Sequence, residues 1–181
     1  APFALVTGTV EARKNLLVLV EALPALPSLR VVSVGPHTPY ADAVRARASA
    51  LGVADRLELR GYVAQSALDD LYARAACALI PSRYEGFGYA LAEALCAGVP
   101  AIAARSSSLV EVADGAVPLV DPDDMAGWVE AVRAVLADRD GAERRAAGMR
   151  SGASARFAWR TAAEAMIAVY ARVTSMRRRG Q

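Results

Sequence analysis

Two glutamates eight positions apart, Glu85 and Glu93, bracket a glycine turn in Tyr84-Glu85-Gly86-Phe87-Gly88-Tyr89. An apolar run, Cys77-Ala78-Leu79-Ile80, leads into it, and a helical pattern from Ala90 to Ala97 leads out. A glycine turn at a helix N-terminus offers unpaired backbone N–H groups and the positive end of the helix dipole, which favours an anion. Carboxylates beside the turn favour hydroxyl donors instead. A ligand that is anionic at one end and rich in hydroxyls at the other satisfies both, and a nucleotide-sugar has that form.

A second loop carries the complementary charge. Gly8-Thr9-Val10-Glu11-Ala12-Arg13-Lys14-Asn15 follows the apolar run Phe3 to Thr7. Leu16, Leu17, Leu19, Val20 and Leu23 come next at helical spacing, with Asn15 read as the N-cap. Arg13 and Lys14, the only lysine of the chain, therefore stand at a helix mouth, where cations add to the N–H donors that face an anion. Taken alone, the pair reads as readily as ordinary surface charge. The loop is neither a Walker A motif nor a Gly-x-Gly-x-x-Gly fingerprint. His37, the sole histidine, lies in the loop Gly35-Pro36-His37-Thr38-Pro39 and reads first as a loop residue without chemistry. No nucleophile elbow supports a Ser-His-Asp site around it.

The elements that position these loops alternate regularly. Short apolar strands are expected at 3–7, 29–34, 56–59, 77–80, 101–104 and 117–120. Helices are expected at 16–23, 40–51, 65–75, 90–97, 139–149 and 157–173, and from a cap at Asp123 or Asp124 to about 137. Ser106-Ser107-Ser108 read as a cap for a short segment at 109–112. No Asn-Gly or Asp-Gly turn joins neighbouring strands, so the pattern predicts an α/β, Rossmann-like, doubly wound, mostly parallel six-stranded sheet with helices on both faces. The loops at Gly8, Gly35, Gly61 and Glu85 all follow strand C-termini, where open α/β sheets bind ligands.

Composition narrows the classes. With 181 residues the chain is long enough for one domain with a sizeable core. A net charge of +2 and a pI near 8.7 are too mild to argue for nucleic acid. Arg177-Arg178-Arg179 is the one basic run and reads as a solvated tail. Cys77 and Cys96 are too few for a disulfide framework and form no metal pattern, so both read as buried free thiols. No stretch is apolar for long enough to span a bilayer. The abrupt start, Ala1-Pro2-Phe3, suggests a piece of a longer chain.

These residues resemble a known family. Gly8-Thr9-Val10-Glu11-x-Arg13-Lys14-Asn15, Gly61-Tyr62-Val63, and Pro81-Ser82-x-Tyr84-Glu85-Gly86-Phe87-Gly88 through Glu93-Ala94-Leu95-x-Ala97-Gly98-x-Pro100 occur in the order of a glycosyltransferase family 4 donor domain. Ser107-Ser108-Leu109-x-Glu111-Val112, Leu119-Val120-Asp121-Pro122 and Phe157-Ala158-Trp159 continue the match, so the chain resembles the C-terminal half of a retaining GT-B enzyme. That resemblance implies a nucleotide-diphosphate sugar as donor, GDP-mannose or a UDP-hexose. It implies no cofactor and no metal. Arg13 and Lys14 would neutralise the leaving diphosphate, and Glu85 would accept from sugar hydroxyls; these three form the implied catalytic set. Gly8, Tyr62, Val63, Gly86, Phe87, Gly88 and Glu93 would bind the donor, with Glu93 at the ribose and Tyr62 and Val63 at the base.

The sequence departs from the family pattern in places. Ala12 and Val110 stand where proline is common, and Thr9 where many relatives carry arginine, which leaves phosphate neutralisation to Arg13 and Lys14. The glycan or lipid-linked acceptor would be held by an N-terminal domain outside this sequence. The fragment would then bind donor and transfer nothing. Such an enzyme would be cytoplasmic, and a lipid-linked acceptor would bring it to the inner face of the membrane. Two other readings stand beside this one: a non-catalytic nucleotide-binding regulatory module, and a sugar phosphorylase or nucleotide-sugar epimerase of the same architecture.

Overall fold

The structure, a computed structural model, describes residues 1–179, with side chains described through Thr174. The side chains of Arg177-Arg178-Arg179 therefore lie outside the described residues. Six strands, β1 (Phe3–Thr7), β2 (Arg30–Val34), β3 (Leu57–Leu59), β4 (Cys77–Ile80), β5 (Ala101–Ala104) and β6 (Leu119–Val120), form one sheet in the order β3-β2-β1-β4-β5-β6. Every pairing is parallel. The expectation of a mostly parallel sheet holds in the stricter form.

Parallel strands buried on both faces need continuous apolar runs. Cys77–Ile80 and Ala101–Ala104 supply them, and all eight residues are buried. The helices are α1 (Leu16–Ala22), α2 (Tyr40–Ala50), α3 (Gln65–Arg74), α4 (Tyr89–Ala97), α5 (Ser107–Ala113), α6 (Met125–Ala137), α7 (Arg139–Arg156) and α8 (Trp159–Arg179). Trp128, on α6, is fully buried and donates its indole N–H to the Asp121 carbonyl. Asp124 caps α6 by accepting from Gly127 N–H at 2.9 Å, as its position in the sequence predicts.

The differences from expectation have local causes. Strand β6 starts at Leu119 because Pro118 has no N–H to give the ladder. Helix α7 runs past Met149 to Arg156, through Gly148 and Gly152. Its small buried side chains, Ala142 and Ala146, let it pack closely on α4, and packing outweighs the weak propensity of the glycines. Helix α8 is exposed along its described side chains, including Trp159, Ile167 and Tyr170. Among the described residues no helix is long and apolar enough to cross a membrane.

The loops above β1, β2 and β3 are stitched by backbone. Gly8 N–H donates to the Val34 carbonyl at 2.9 Å, and Gly35 N–H donates to the Gly61 carbonyl at 2.8 Å. Gly35 has φ +146, and a Cβ there would run into the backbone carbonyl of Gly8. Gly52, at φ +66, has open space around it. Gly35→Ala should therefore destabilise the chain by about 3 kcal/mol or more, against about 1 kcal/mol for Gly52→Ala. Urea unfolding of the two variants checks the contrast; equal losses would show that the approach of the β1 and β2 loops does not constrain the fold.

Candidate functional site

The strand order reverses direction between β1 and β4, which pair in parallel at Ala4 with Cys77 and Leu5 with Ala78. Their C-terminal loops leave from neighbouring positions and open a crevice, the place where doubly wound sheets bind ligands. A cleft of about 410 Å³ lies there. It brings together Gly8, Arg13, Lys14, Tyr62, Val63, Glu85 and Glu93, residues that the sequence singled out in separate segments. Thr7 and Gln65 join the lining without having been singled out.

Glu85 is the centre of the cleft's charge. It is 8% exposed, and its carboxylate accepts from Lys14 Nζ at 2.6 Å, Ser82 Oγ at 2.7 Å and Arg13 Nη1 at 3.2 Å. Arg13 also pairs with Glu11 at 2.8 Å and donates to the Tyr84 carbonyl at 3.0 Å. Burial alone pushes the Glu85 carboxyl upward. Hydrogen bonds from Lys14 and Ser82, with the charges of Lys14 and Arg13, more than offset that and hold it below the usual carboxylate value. Sequence reasoning gave Glu85 only sugar hydroxyls as partners. Its nearest partners are Lys14 and Ser82, with Arg13 slightly farther, and the three fill most of a carboxylate's roughly four acceptor directions. Gly8 serves the same contact: it has φ +118, and a Cβ would stand 3.1 Å from Lys14 Nζ.

Neighbouring loops hold this cluster. Arg83 N–H donates to the Arg13 carbonyl at 2.8 Å and ties the β4 loop to the β1 loop. Asn15 precedes α1 in a left-handed conformation, φ 55, and makes no side-chain cap. Its amide instead donates to the Pro122 carbonyl at 2.6 Å, which corrects its reading as an N-cap. The three serines are corrected likewise, since none caps α5 with its side chain. Ser106 Oγ donates to the Ser82 carbonyl at 2.6 Å, Ser107 Oγ accepts from Glu85 N–H at 2.8 Å, and Ser108 Oγ donates to the Glu85 carbonyl at 2.9 Å. Ser107 and Ser108 thus grip both backbone groups of Glu85. The signal for this was indirect: a run of three hydroxyls follows β5, the strand that lies beside β4.

Glu93, on α4, is exposed rather than enclosed by its apolar neighbours. It is nonetheless engaged, because Oε2 accepts from the Tyr72 hydroxyl at 3.2 Å. Gly86, Phe87 and Gly88 lie outside the lining of the cleft. Gly88 is required by the fold: its φ is +97, and a Cβ would stand 2.8 Å from Leu109 Cδ2. Gly86 is exposed with nothing near its Cβ position, so the fold places no demand for glycine there. Phe87 is 41% exposed and meets Tyr89 and Phe157 at centroid distances of 4.9 and 6.0 Å.

Four other singled-out residues stand apart from the cleft. His37 is exposed, with Nδ1 3.3 Å from Arg45 Nη2. Cys77 is buried, and burial pushes its thiol up to about 12. Cys96 is only half-buried, which corrects the reading of two buried thiols. Glu111 is exposed, and its backbone carbonyl accepts from Arg156 at 2.8 Å.

The lowered pKa of Glu85 fixes the sign of a pH effect. A carboxyl whose folded value lies below its ordinary 4.5 stabilises the fold fully above that value, and loses the contribution as pH falls through the folded value. Wild type should therefore lose stability more steeply than Glu85→Gln as pH falls below about 4.5, while their difference stays constant near neutrality. Urea titrations across that range measure it. Parallel curves would mean that Glu85 is not held ionised by Lys14 and Arg13.

The glycosyl transferases group 1 family model matches residues 1–151. The D-inositol 3-phosphate glycosyltransferase of Xylanimonas cellulosilytica is 39% identical over 183 residues, which cover 98% of this chain and 44% of that protein. The O-antigen chain mannosyltransferase B of Escherichia coli is 34% identical over 128 residues, 68% of this chain and 34% of that protein. Among solved structures, the sucrose-phosphate synthase of Thermosynechococcus elongatus superposes with a TM-score of 0.84 at 27% identity, over 97% of this chain and 46% of that one. The C-terminal domain of a glycosyl transferase group 1 family protein from Francisella tularensis shares the fold, with a TM-score of 0.73 at 18% identity, over 86% of this chain and 85% of that domain. The chain spans less than half the length of the curated relatives it matches. In sequence and in architecture it belongs to the group 1 glycosyltransferases, as the C-terminal half of their GT-B fold.

Proposed function

We propose that this chain binds a nucleotide-diphosphate sugar, GDP-mannose or a UDP-hexose, as donor for a retaining, metal-independent hexosyl transfer to a glycan or lipid-linked acceptor. The observation that carries the reading is that a single cleft is lined by both kinds of group: Lys14 and Arg13 around Glu85, and Glu93 from α4. The cationic pair suits a diphosphate, whose negative charge grows as the glycosidic bond breaks; fixed donors in a partly desolvated site stabilise that charge. Glu85 keeps Lys14 placed and turns its remaining acceptor direction toward a sugar hydroxyl. Glu93 accepts from the ribose.

The remaining contacts follow from exposure. Tyr62 is 86% exposed and presents an aromatic face for the base beside Val63. The open space at Gly86 leaves room for the donor to approach the backbone. The names of the relatives, an inositol-phosphate glycosyltransferase and an O-antigen mannosyltransferase, support a hexose donor and a polyol or glycan acceptor. The acceptor side belongs to the part of those proteins that this chain does not span. Bacterial nucleotide-sugars are cytosolic, so the reaction is placed in the cytoplasm, at the inner membrane face where the acceptor is lipid-linked.

Calorimetry with UDP, GDP and ADP tests the reading. One of the first two should bind the 181-residue chain at up to about 1 mM, and Glu93→Ala should weaken it about tenfold. No binding by any of the three would sink the donor-site reading. Gly86→Ala should leave stability within about 0.5 kcal/mol while nucleotide-sugar affinity falls several-fold. Unchanged affinity in that variant would remove Gly86 from the donor contacts. The chain alone should transfer no hexose to added acceptors, and transfer by it would place the acceptor site within these residues.

A further inference from the structure

Tyr72 has no part in the functional reading so far, yet it joins two walls of the cleft. It lies on α3, is 6% exposed, and its phenol oxygen is 3.2 Å from Glu93 Oε2 on α4 and 3.2 Å from Thr7 Oγ1 at the end of β1. Burial, with the Glu93 charge beside it, raises the phenol pKa well above its usual value, so it stays protonated. An ionised carboxylate only accepts, so the single phenol hydrogen goes to Glu93. Toward Thr7 the phenol oxygen can then only accept, and the Thr7 hydroxyl gives its hydrogen to Tyr72.

This ordering fixes the polarity of the part of the cleft around Thr7 and Glu93, which both line it and both meet the Tyr72 hydroxyl. With its hydrogen committed, Thr7 Oγ1 presents lone pairs alone. Glu93 presents a carboxylate whose orientation is set by the bond to Tyr72. The pair that Tyr72 governs thus offers acceptors, whereas Lys14 and Arg13 in the same lining offer donors. Phosphate is repelled from the first and drawn to the second, and a vicinal diol finds two acceptors at the first.

We propose that Tyr72 is a positioning residue that aligns Thr7 and Glu93 to select the ribose diol of the donor nucleotide. The proposal rests on the donor-site reading above. Its test compares GDP and UDP with their 2′,3′-dideoxy counterparts by calorimetry, on wild type, Tyr72→Phe and Thr7→Val. Wild type should prefer the ribose form by about tenfold. In Tyr72→Phe the preference should fall below about threefold, through weaker binding of the ribose form with dideoxy affinity unchanged.

Thr7→Val, which alters the far end of the relay and leaves the aromatic ring in place, should lose the preference in the same direction. It also decides the matter should Tyr72→Phe fail to fold. Equal weakening of both nucleotide forms in Tyr72→Phe would mean a packing role only, and an undiminished preference would overturn the proposal outright. Wild type that binds both forms alike would overturn it while leaving the donor site standing. Wild type that binds neither would overturn both.

Discussion

A carboxylate buried to 8% exposure is tolerable only where hydrogen bonds and opposite charge replace the water it has lost. For Glu85 those replacements come from residues about seventy positions away, Lys14 and Arg13, and from Ser82 nearby. The loops above β1 and β4 therefore have to meet. The sheet order makes them meet by setting those strands side by side in parallel. The same contact spreads along the edge of the sheet. The β5 loop grips Glu85 through Ser107 and Ser108 and Ser82 through Ser106, and the loop after β6 is tied in by Asn15 at Pro122. On the other side the glycine backbones at 8, 35 and 61 join the loops of β1, β2 and β3. All six strands thus end in one bonded rim.

That rim explains which glycines the fold requires. Gly8 clears the path of the Lys14 ammonium, Gly35 lets two loop backbones touch, and Gly88 makes room for Leu109. Gly86 does none of these things. A glycine that the protein itself does not need is better explained by something outside the protein, and the proposed donor supplies that reason. The distinction separates two residues that a Gly-Phe-Gly motif would treat as equivalent.

Much of the architecture was legible in the chain. The runs 3–7, 77–80 and 101–104 matched strands to the residue, because short apolar stretches ended by glycine or proline leave little freedom. The site's charged members were legible too, through the spacing of Glu85 and Glu93 and the solitary lysine. What escaped was pairing across distance. Nothing local to Glu85 says that Lys14 holds it, and nothing local to Ser107 says that its hydroxyl faces a backbone N–H of another loop. Asn15 and the serine triplet were misread for one reason: residues that cap helices are also those that bridge loops, and only tertiary placement decides between the two uses. Helix α7 escaped because its length is set by packing on α4 rather than by its own glycine-weakened propensity.

The pairing of Glu85 with Lys14 and Arg13 bears on how such a cleft holds an anion. A carboxylate that merely cancelled the cations would weaken the site. An ammonium, however, carries three donors and a guanidinium five, and Glu85 uses one of each. What the carboxylate supplies is direction: it fixes long side chains that would otherwise lose rotamer entropy on meeting a ligand. Arg13 also gives donors to Glu11 and the Tyr84 carbonyl, so both cations are held in place before anything binds. The charge is reduced but preorganised, and on the proposed reading that exchange favours the transition state. The diphosphate gains charge only as the glycosidic bond breaks, and donors already in place meet it without rearrangement.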